Sequence, residues 1–221
     1  MKLVLYSGYD ENNSALDSAL VDLIGKSNPK VTFIPSAHHV PEHEYKYFCE
    51  TFIDHGIKNV SIFNIDQPYS NAQLQKALTS DLIYLSGGNT FYFLKSIRRQ
   101  RFDLELKNFV KLGGVLAGLS AGSILMTPTI ETASYPKFDR DDNNVGILDL
   151  AALNLVNFEF FPHFDGEPEY AKELLKQSKK VSWPIYGVSD GGGILVRDES
   201  ISFYGEVWGF ISGRCFVLKS K

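Results

Sequence analysis

Short apolar runs alternate with longer amphipathic stretches through the first half of the chain. Residues 3–6, 31–35, 60–65, 82–85 and 114–119 are compact and almost wholly apolar. Strands buried on both faces of a parallel sheet have that pattern. Between them, residues 13–25, 41–55, 71–78, 90–98 and 102–112 carry polar residues on one side and apolar residues on the other, and predict helices. Ser70 or Asn71 is a suitable N-cap for the third of these. Strand followed by helix, repeated along this half, predicts a doubly wound, mostly parallel α/β sheet with flanking helices.

The pattern changes after Pro128. Residues 131–144 are polar, contain Pro136 and run through Asp139-Arg140-Asp141-Asp142-Asn143-Asn144, which reads as a long loop. Loops of that length inside a compact domain are commonly functional. Residues 153–161 predict a strand that ends at Pro162-His163-Phe164, and residues 169–179 a helix. Residues 185–188 predict a further strand, followed by Asp190-Gly191-Gly192-Gly193. Residues 194–196, 200–204 and 214–218 read as a short antiparallel C-terminal extension joined by turns. Trp208, Phe210 and Phe216 lie between those turns. Core packing is their expected role; covering the sheet edge or forming a homodimer contact are the alternatives. No repeat, low-complexity tract or linker divides the sequence, so residues 1–221 read as a single α/β domain.

Composition narrows the function classes. Of the 221 residues, 44% are hydrophobic and 22% charged, which argues against a disordered or fibrous chain. The net charge of −4 supplies no basic field for nucleic acid or an anionic membrane surface, so neither is an expected partner. Cys49 and Cys215 stand far apart and in no metal-ligand spacing, so neither a disulfide scaffold nor a metal is expected. The apolar run at the N-terminus is too short for a signal peptide, and a cytoplasmic location is expected.

The strongest chemical signal is Gly118-Leu119-Ser120-Ala121-Gly122, which follows an apolar strand and opens an apolar helix. This is the context of a nucleophile elbow, a sharp turn that exposes a serine hydroxyl at the carboxyl end of a sheet. The amide of Ala121 would point the same way and serve an oxyanion. The plain alternative is a small-residue strand-to-helix turn. Ser86-Gly87-Gly88-Asn89-Thr90 is a second Gly-rich turn at a strand end. It could be a phosphate loop, a close-packed turn or a second oxyanion donor; lacking the spacing of a dinucleotide or Walker loop, it is least suited to phosphate. A serine needs a base, and His163, at a strand end, is best placed among His38, His39, His43, His55 and His163. His38 and His39 also follow a strand and compete with it; His43 and His55 lie in a polar helical stretch.

Ser86-Gly87-Gly88-Asn89-Thr90-Phe91, Gly118-Leu119-Ser120-Ala121-Gly122, Pro128-Thr129-Ile130 and Pro162-His163-Phe164 occur in this order. Together they resemble the serine peptidase family of dipeptidase E (alpha-aspartyl dipeptidase) and cyanophycinase, from Leu3 to about Val196. The resemblance implies a fold like that of class I glutamine amidotransferases. It also implies Ser120 as nucleophile, His163 as general base, and the amides of Gly88 and Ala121 as oxyanion hole. Asn89 would face the substrate, a small peptide, and no metal or cofactor would take part.

The sequence departs from that family twice. Where aspartyl dipeptidases carry the triad acid, this chain has Tyr135. The acid then comes from elsewhere, among Glu131, Asp139, Asp141, Asp142, Asp149 and Asp190. Asp142 is the favoured position, because the segment after it leads into the strand feeding His163. Downstream of the histidine, the family's basic residues include an arginine for an acidic substrate side chain. Here Asp165-Gly166-Glu167-Pro168-Glu169 makes an acidic rim, with Lys172 and Lys176 the nearest cations. Strict aspartyl specificity is therefore not expected. The expected function is hydrolysis of short peptides by a serine dipeptidase or exopeptidase. The alternatives are a catalytically silent family member that binds a ligand or partner, and an amidase or esterase on the same site.

Overall fold

The computed structural model describes residues 1–10, 13–37 and 42–218. Five parallel strands form the centre of the larger sheet: β1 (Lys2–Tyr6), β2 (Lys30–Ile34), β3 (Asn59–Ile62), β4 (Leu82–Leu85) and β5 (Val115–Leu119). They lie in the order β3-β2-β4-β5-β1. β1, β2, β4 and β5 fall on apolar runs because they bury both faces, whereas β3, at the sheet edge, is half-exposed. Leu3 and Leu5 enter one core layer, with Ile83, Leu85 and Leu116; Val4 and Tyr6 enter the other, with Phe33, Tyr84 and Ala117. Helices α1 (Ser14–Ile24) and α2 (Glu42–Ile53) cover the second layer through Leu16, Leu20, Phe48 and Phe52. Helices α4 (Thr90–Arg98) and α5 (Phe102–Lys111) cover the first through Phe93, Ile97, Phe102 and Leu106. The short α3 (Asn71–Leu78) starts at a reciprocal capping box between Ser70 and Gln73, which settles its N-cap as Ser70.

The C-terminal half differs from the expected simple extension. A helical turn α6 (Ala121–Ile124) follows β5 directly. The expected strand over 153–161 shrinks to β6 (Glu159–Phe161). Residues 152–155 instead donate their amides to the carbonyls of Pro128, Leu125, Thr127 and Met126. They satisfy carbonyls left open where α6 ends, and Leu153 still buries its side chain. That use of the apolar run needs no strand partner. Helix α7 (Pro168–Gln177) then leads to β7 (Ile185–Val188). Strands β8 (Gly193–Arg197) and β9 (Ser200–Tyr204) join the larger sheet antiparallel, beside β1. Strands β10 (Val207–Ile211) and β11 (Arg214–Leu218) join β6 and β7 in a second, four-stranded sheet of order β11-β10-β7-β6. β10 carries Trp208 and Phe210, which the sequence reading left between turns. Phe210 packs with Phe161, Phe164, Leu174 and Ile185 in a third core layer. Among the described residues, no helix is long and apolar enough to cross a membrane.

Candidate active site

The carboxyl ends of β1, β4 and β5 meet at one edge of the larger sheet, where open α/β sheets bind ligands. The second sheet brings the ends of β6 and β7 to the same place. Five turns therefore converge, and each contributes small or polar residues.

At the end of β5, Ser120 adopts φ 49° and ψ −109°, a conformation that costs a non-glycine residue about 1–3 kcal/mol. Two glycines make the turn sterically feasible. A Cβ on Gly118 would lie 2.4 Å from the carbonyl carbon of Gly122, and a Cβ on Gly122 would lie 2.3 Å from the carbonyl oxygen of Leu85. The elbow is held from outside by the Ser120 amide, which donates to the Tyr6 carbonyl at 3.0 Å.

Facing it, His163 follows β6 with a positive φ of 58°. Its Nε2 lies 2.9 Å from Ser120 Oγ, and its Nδ1 lies 2.7 Å from Asp190 Oδ1. An ionised carboxylate can only accept, so Nδ1 carries the proton and Nε2 is left to accept from the serine hydroxyl. Partial burial pushes the Asp190 carboxyl up. The hydrogen bond and charge of His163, together with the hydrogen bond from Ser7, outweigh that and hold it below the ordinary aspartate value. Asp190 is thus ionised at neutral pH and fixes the imidazole tautomer.

Asp190, not the favoured Asp142, partners the histidine. Asp142 sits on the far side of the cleft, where its backbone carbonyl accepts from Asn89 Nδ2 at 3.0 Å. The physical reason is topological. β6 and β7 are adjacent parallel strands, so the residues that follow them, His163 and Asp190, emerge side by side. The loop over 131–144 crosses toward α4 instead. Asp141 Oδ2 accepts from the Thr90 amide at 2.7 Å, and Asp139 Oδ2 from the Tyr170 hydroxyl at 2.7 Å. Asn89 caps α4, its Oδ1 accepting from the Tyr92 amide at 2.9 Å, so its side chain ties the helix to the loop. Glu131 lies in a 3₁₀ turn, and Asp149 pairs with Arg98 at 3.2 Å. Tyr135 is buried and stacked on Phe161, with ring centroids 6.1 Å apart.

A small cavity of about 170 Å³ opens over Ser120 and His163, bounded by Gly88, Tyr135, Arg140 and Tyr170 among others. Gly88 has φ 128°, and a Cβ there would meet Ser36 Oγ at 2.1 Å, so the position admits only glycine. Ala121, the first residue of α6, has a backbone amide with no intrahelical acceptor. His38 and His39 lie outside the described residues, as does the side chain of His43. His55 follows α2, with its ring centroid 6.1 Å from that of Phe52, remote from the cleft. The lysines expected to supply positive charge do not line the cleft; Lys176 pairs with Glu173 at 3.1 Å.

Sequence reasoning missed Ser7 and Gly8, which follow β1. Ser7 is fully buried, and its Oγ accepts from the His163 amide at 2.7 Å. Its one hydroxyl proton faces the Val188 carbonyl at 2.9 Å and Asp190 Oδ1 at 3.1 Å. Gly8 leaves room for the acid, since a Cβ there would fall 2.2 Å from Asp190 Oδ1. The available signal was a pair of small residues directly after the first strand.

The sequence profile of peptidase family S51 matches residues 3–204. An uncharacterized peptidase, PM1590, of Pasteurella multocida (strain Pm70) is 29% identical over 183 residues, covering 78% of this chain and 84% of its own. A peptidase E of Nostoc sp. (strain PCC 7120 / SAG 25.82 / UTEX 2576) is 26% identical over 196 residues, covering 83% of this chain and 76% of its own. Among solved structures, a peptidase from an acI-B1 Actinobacterium superposes with a TM-score of 0.72 at 16% identity, over 99% of this chain and 94% of that one. A candidate peptidase E protein from Listeria monocytogenes EGD-e gives 0.74 at 24% identity, over 92% and 98%. These two likenesses concern the fold.

Proposed function

Because the chain belongs to peptidase family S51, we propose that it is a serine peptidase acting on short peptides, with Ser120 as nucleophile, His163 as general base and Asp190 as the orienting acid. The observation that carries this reading is the unbroken hydrogen-bonded line from Ser120 Oγ through His163 to Asp190, with the serine held on a strained elbow.

Ser120 Oγ attacks the scissile carbonyl while His163 Nε2 takes its proton. The imidazolium is stabilised by Asp190, which stays ionised. The carbonyl oxygen becomes an oxyanion, and the amides of Gly88 and Ala121 receive it. His163 then returns the proton to the leaving amine, and the acyl group remains on Ser120. Water then attacks the acyl carbon while His163 takes one of its protons; the bond from that carbon to Ser120 Oγ breaks, His163 returns the proton to Oγ, and the free acid leaves. A carboxylate 2.7 Å from His163 Nδ1 favours catalysis over the silent binder.

Intact-mass measurement after incubation with a fluorophosphonate tests the reading. Wild type is expected to gain one adduct, while Ser120→Ala and His163→Ala gain none. A wild type that stays unlabelled, or a Ser120→Ala variant that hydrolyses peptides as fast as wild type, would overturn it.

A further inference from the structure

The cleft over Ser120 carries charges of both signs, and they are not used alike. Asp139 and Asp141 each commit one carboxylate oxygen to the protein, to the Tyr170 hydroxyl and the Thr90 amide. The backbone is pinned on both sides of Arg140: the Asp139 amide donates to the Pro136 carbonyl at 3.1 Å and the Asp141 amide to the Ala133 carbonyl at 3.0 Å. Arg140 between them is therefore presented by a fixed stretch of chain. Arg140 is exposed and lines the same cavity as Ser120 and His163, and among the described residues its side chain makes no hydrogen bond or ion pair. A guanidinium offers a planar fork of donors that fits a carboxylate with two parallel hydrogen bonds.

Size limits what that carboxylate can belong to. At about 170 Å³ the cavity is smaller than the usual range for drug-sized ligands, roughly 300–1,000 Å³, so the part of a peptide seated in it is short. Every short peptide ends in a carboxylate close to its scissile bond. An acidic side chain is a second source of the same group. The carboxylates of Asp139 and Asp141 line the same cavity and repel either source alike, so what favours the terminal group is that every short peptide carries it.

We propose that Arg140 is the anchor for the free terminal carboxylate of the peptide, and that it thereby restricts the enzyme to very short substrates cut next to their C-terminus. The assignment rests on the peptidase reading above, but its test does not need turnover. Ser120→Ala protein, which retains the cleft, is titrated calorimetrically with Ala-Leu and with Ala-Leu amide. The same titrations are made on Ser120→Ala/Arg140→Gln and Ser120→Ala/Arg140→Lys. The free acid should bind about ten- to a hundred-fold more tightly than the amide. Arg140→Gln should abolish that preference, and Arg140→Lys should restore part of it.

A preference that survives Arg140→Gln, or equal binding of acid and amide by Ser120→Ala, overturns the assignment, as does absence of binding by either dipeptide. Asp-Leu amide against Asn-Leu amide separates the sources. An Arg140-dependent preference in that pair, absent between Ala-Leu and its amide, would mean that Arg140 reads an acidic side chain. The peptidase reading fails differently, through hydrolysis or labelling that persists without Ser120.

Discussion

Replacing Gly8 by alanine should disable the site without altering any residue that reacts. The new Cβ would lie 2.2 Å from Asp190 Oδ1, and ordinary contact begins near 3.4 Å, so the carboxylate must retreat by about 1.2 Å. That displacement strains both the 2.7 Å contact to His163 Nδ1 and the 3.1 Å contact to Ser7. Gly8 does not have the positive φ that only glycine tolerates, and the atom that yields is the end of a side chain, so the fold should lose only about 1 kcal/mol or less. Activity should suffer far more. A misplacement of about 1 Å costs roughly 10²-fold, and full loss of the acid's role costs roughly 10⁴-fold. Gly8→Ala should fall between these, a barrier increase of about 2.7–5.4 kcal/mol. The assay is the second-order rate of fluorophosphonate labelling at Ser120, with thermal unfolding as the control for folding. Asp190→Asn supplies the second arm of a cycle. Both changes act through the orientation of His163, so the double variant should be within about three-fold of Asp190→Asn alone. Labelling of Gly8→Ala at the wild-type rate, or penalties that multiply in full, would refute the argument.

Two further outcomes follow from the same geometry. Asp142→Ala should keep its labelling rate within about three-fold of wild type, since only its backbone carbonyl meets the site's surroundings; a loss approaching that of Asp190→Asn would return the acid's role to the loop. Glu159, the first residue of β6, is buried, and desolvation raises its carboxyl to about 7 against the hydrogen bonds from Thr129 and Thr127. Its native value exceeds its unfolded one, so the folded state holds the proton longer. Stability from this group is complete below about pH 4.5 and drains away up to about pH 7, at most about 3 kcal/mol. Urea unfolding of wild type and Glu159→Gln at pH 5 and pH 8 should therefore show the variant gaining relative to wild type at the higher pH.

The parallel core was legible because burial on both faces leaves little choice of residue. Leu82–Leu85 is apolar at every position and became β4 with those limits. That Ser120 and His163 meet was legible because a G-x-S-x-G turn and a strand-end histidine are local features. The acid was not. Asp142 and Asp190 both stand in loops next to strands, and what separates them is the pairing of β6 with β7, a contact between distant segments. Gly8 illustrates the same gap: its importance lies in the nearness of Asp190, 182 positions away in the chain. Residues 153–158 misled because apolar side chains can be buried while their amides serve an irregular segment, and periodicity does not report where an amide donates. β10 is interrupted by Gly209, a poor strand former that nonetheless pairs with Phe216 and Tyr186 on its two sides.

The buried hydroxyl of Ser7 belongs to the larger sheet, yet it accepts from the backbone of His163 and faces the backbone of Val188 on the smaller one. His163 and Asp190 ride together on neighbouring strands of that smaller sheet, whereas Ser120 rides on the larger. A slip between the two halves would leave the imidazole and its carboxylate in register with each other while pulling both away from Ser120. Such a slip would open the contact between Ser120 and His163 while sparing the one between His163 and Asp190, and Ser7 is the rivet across that joint.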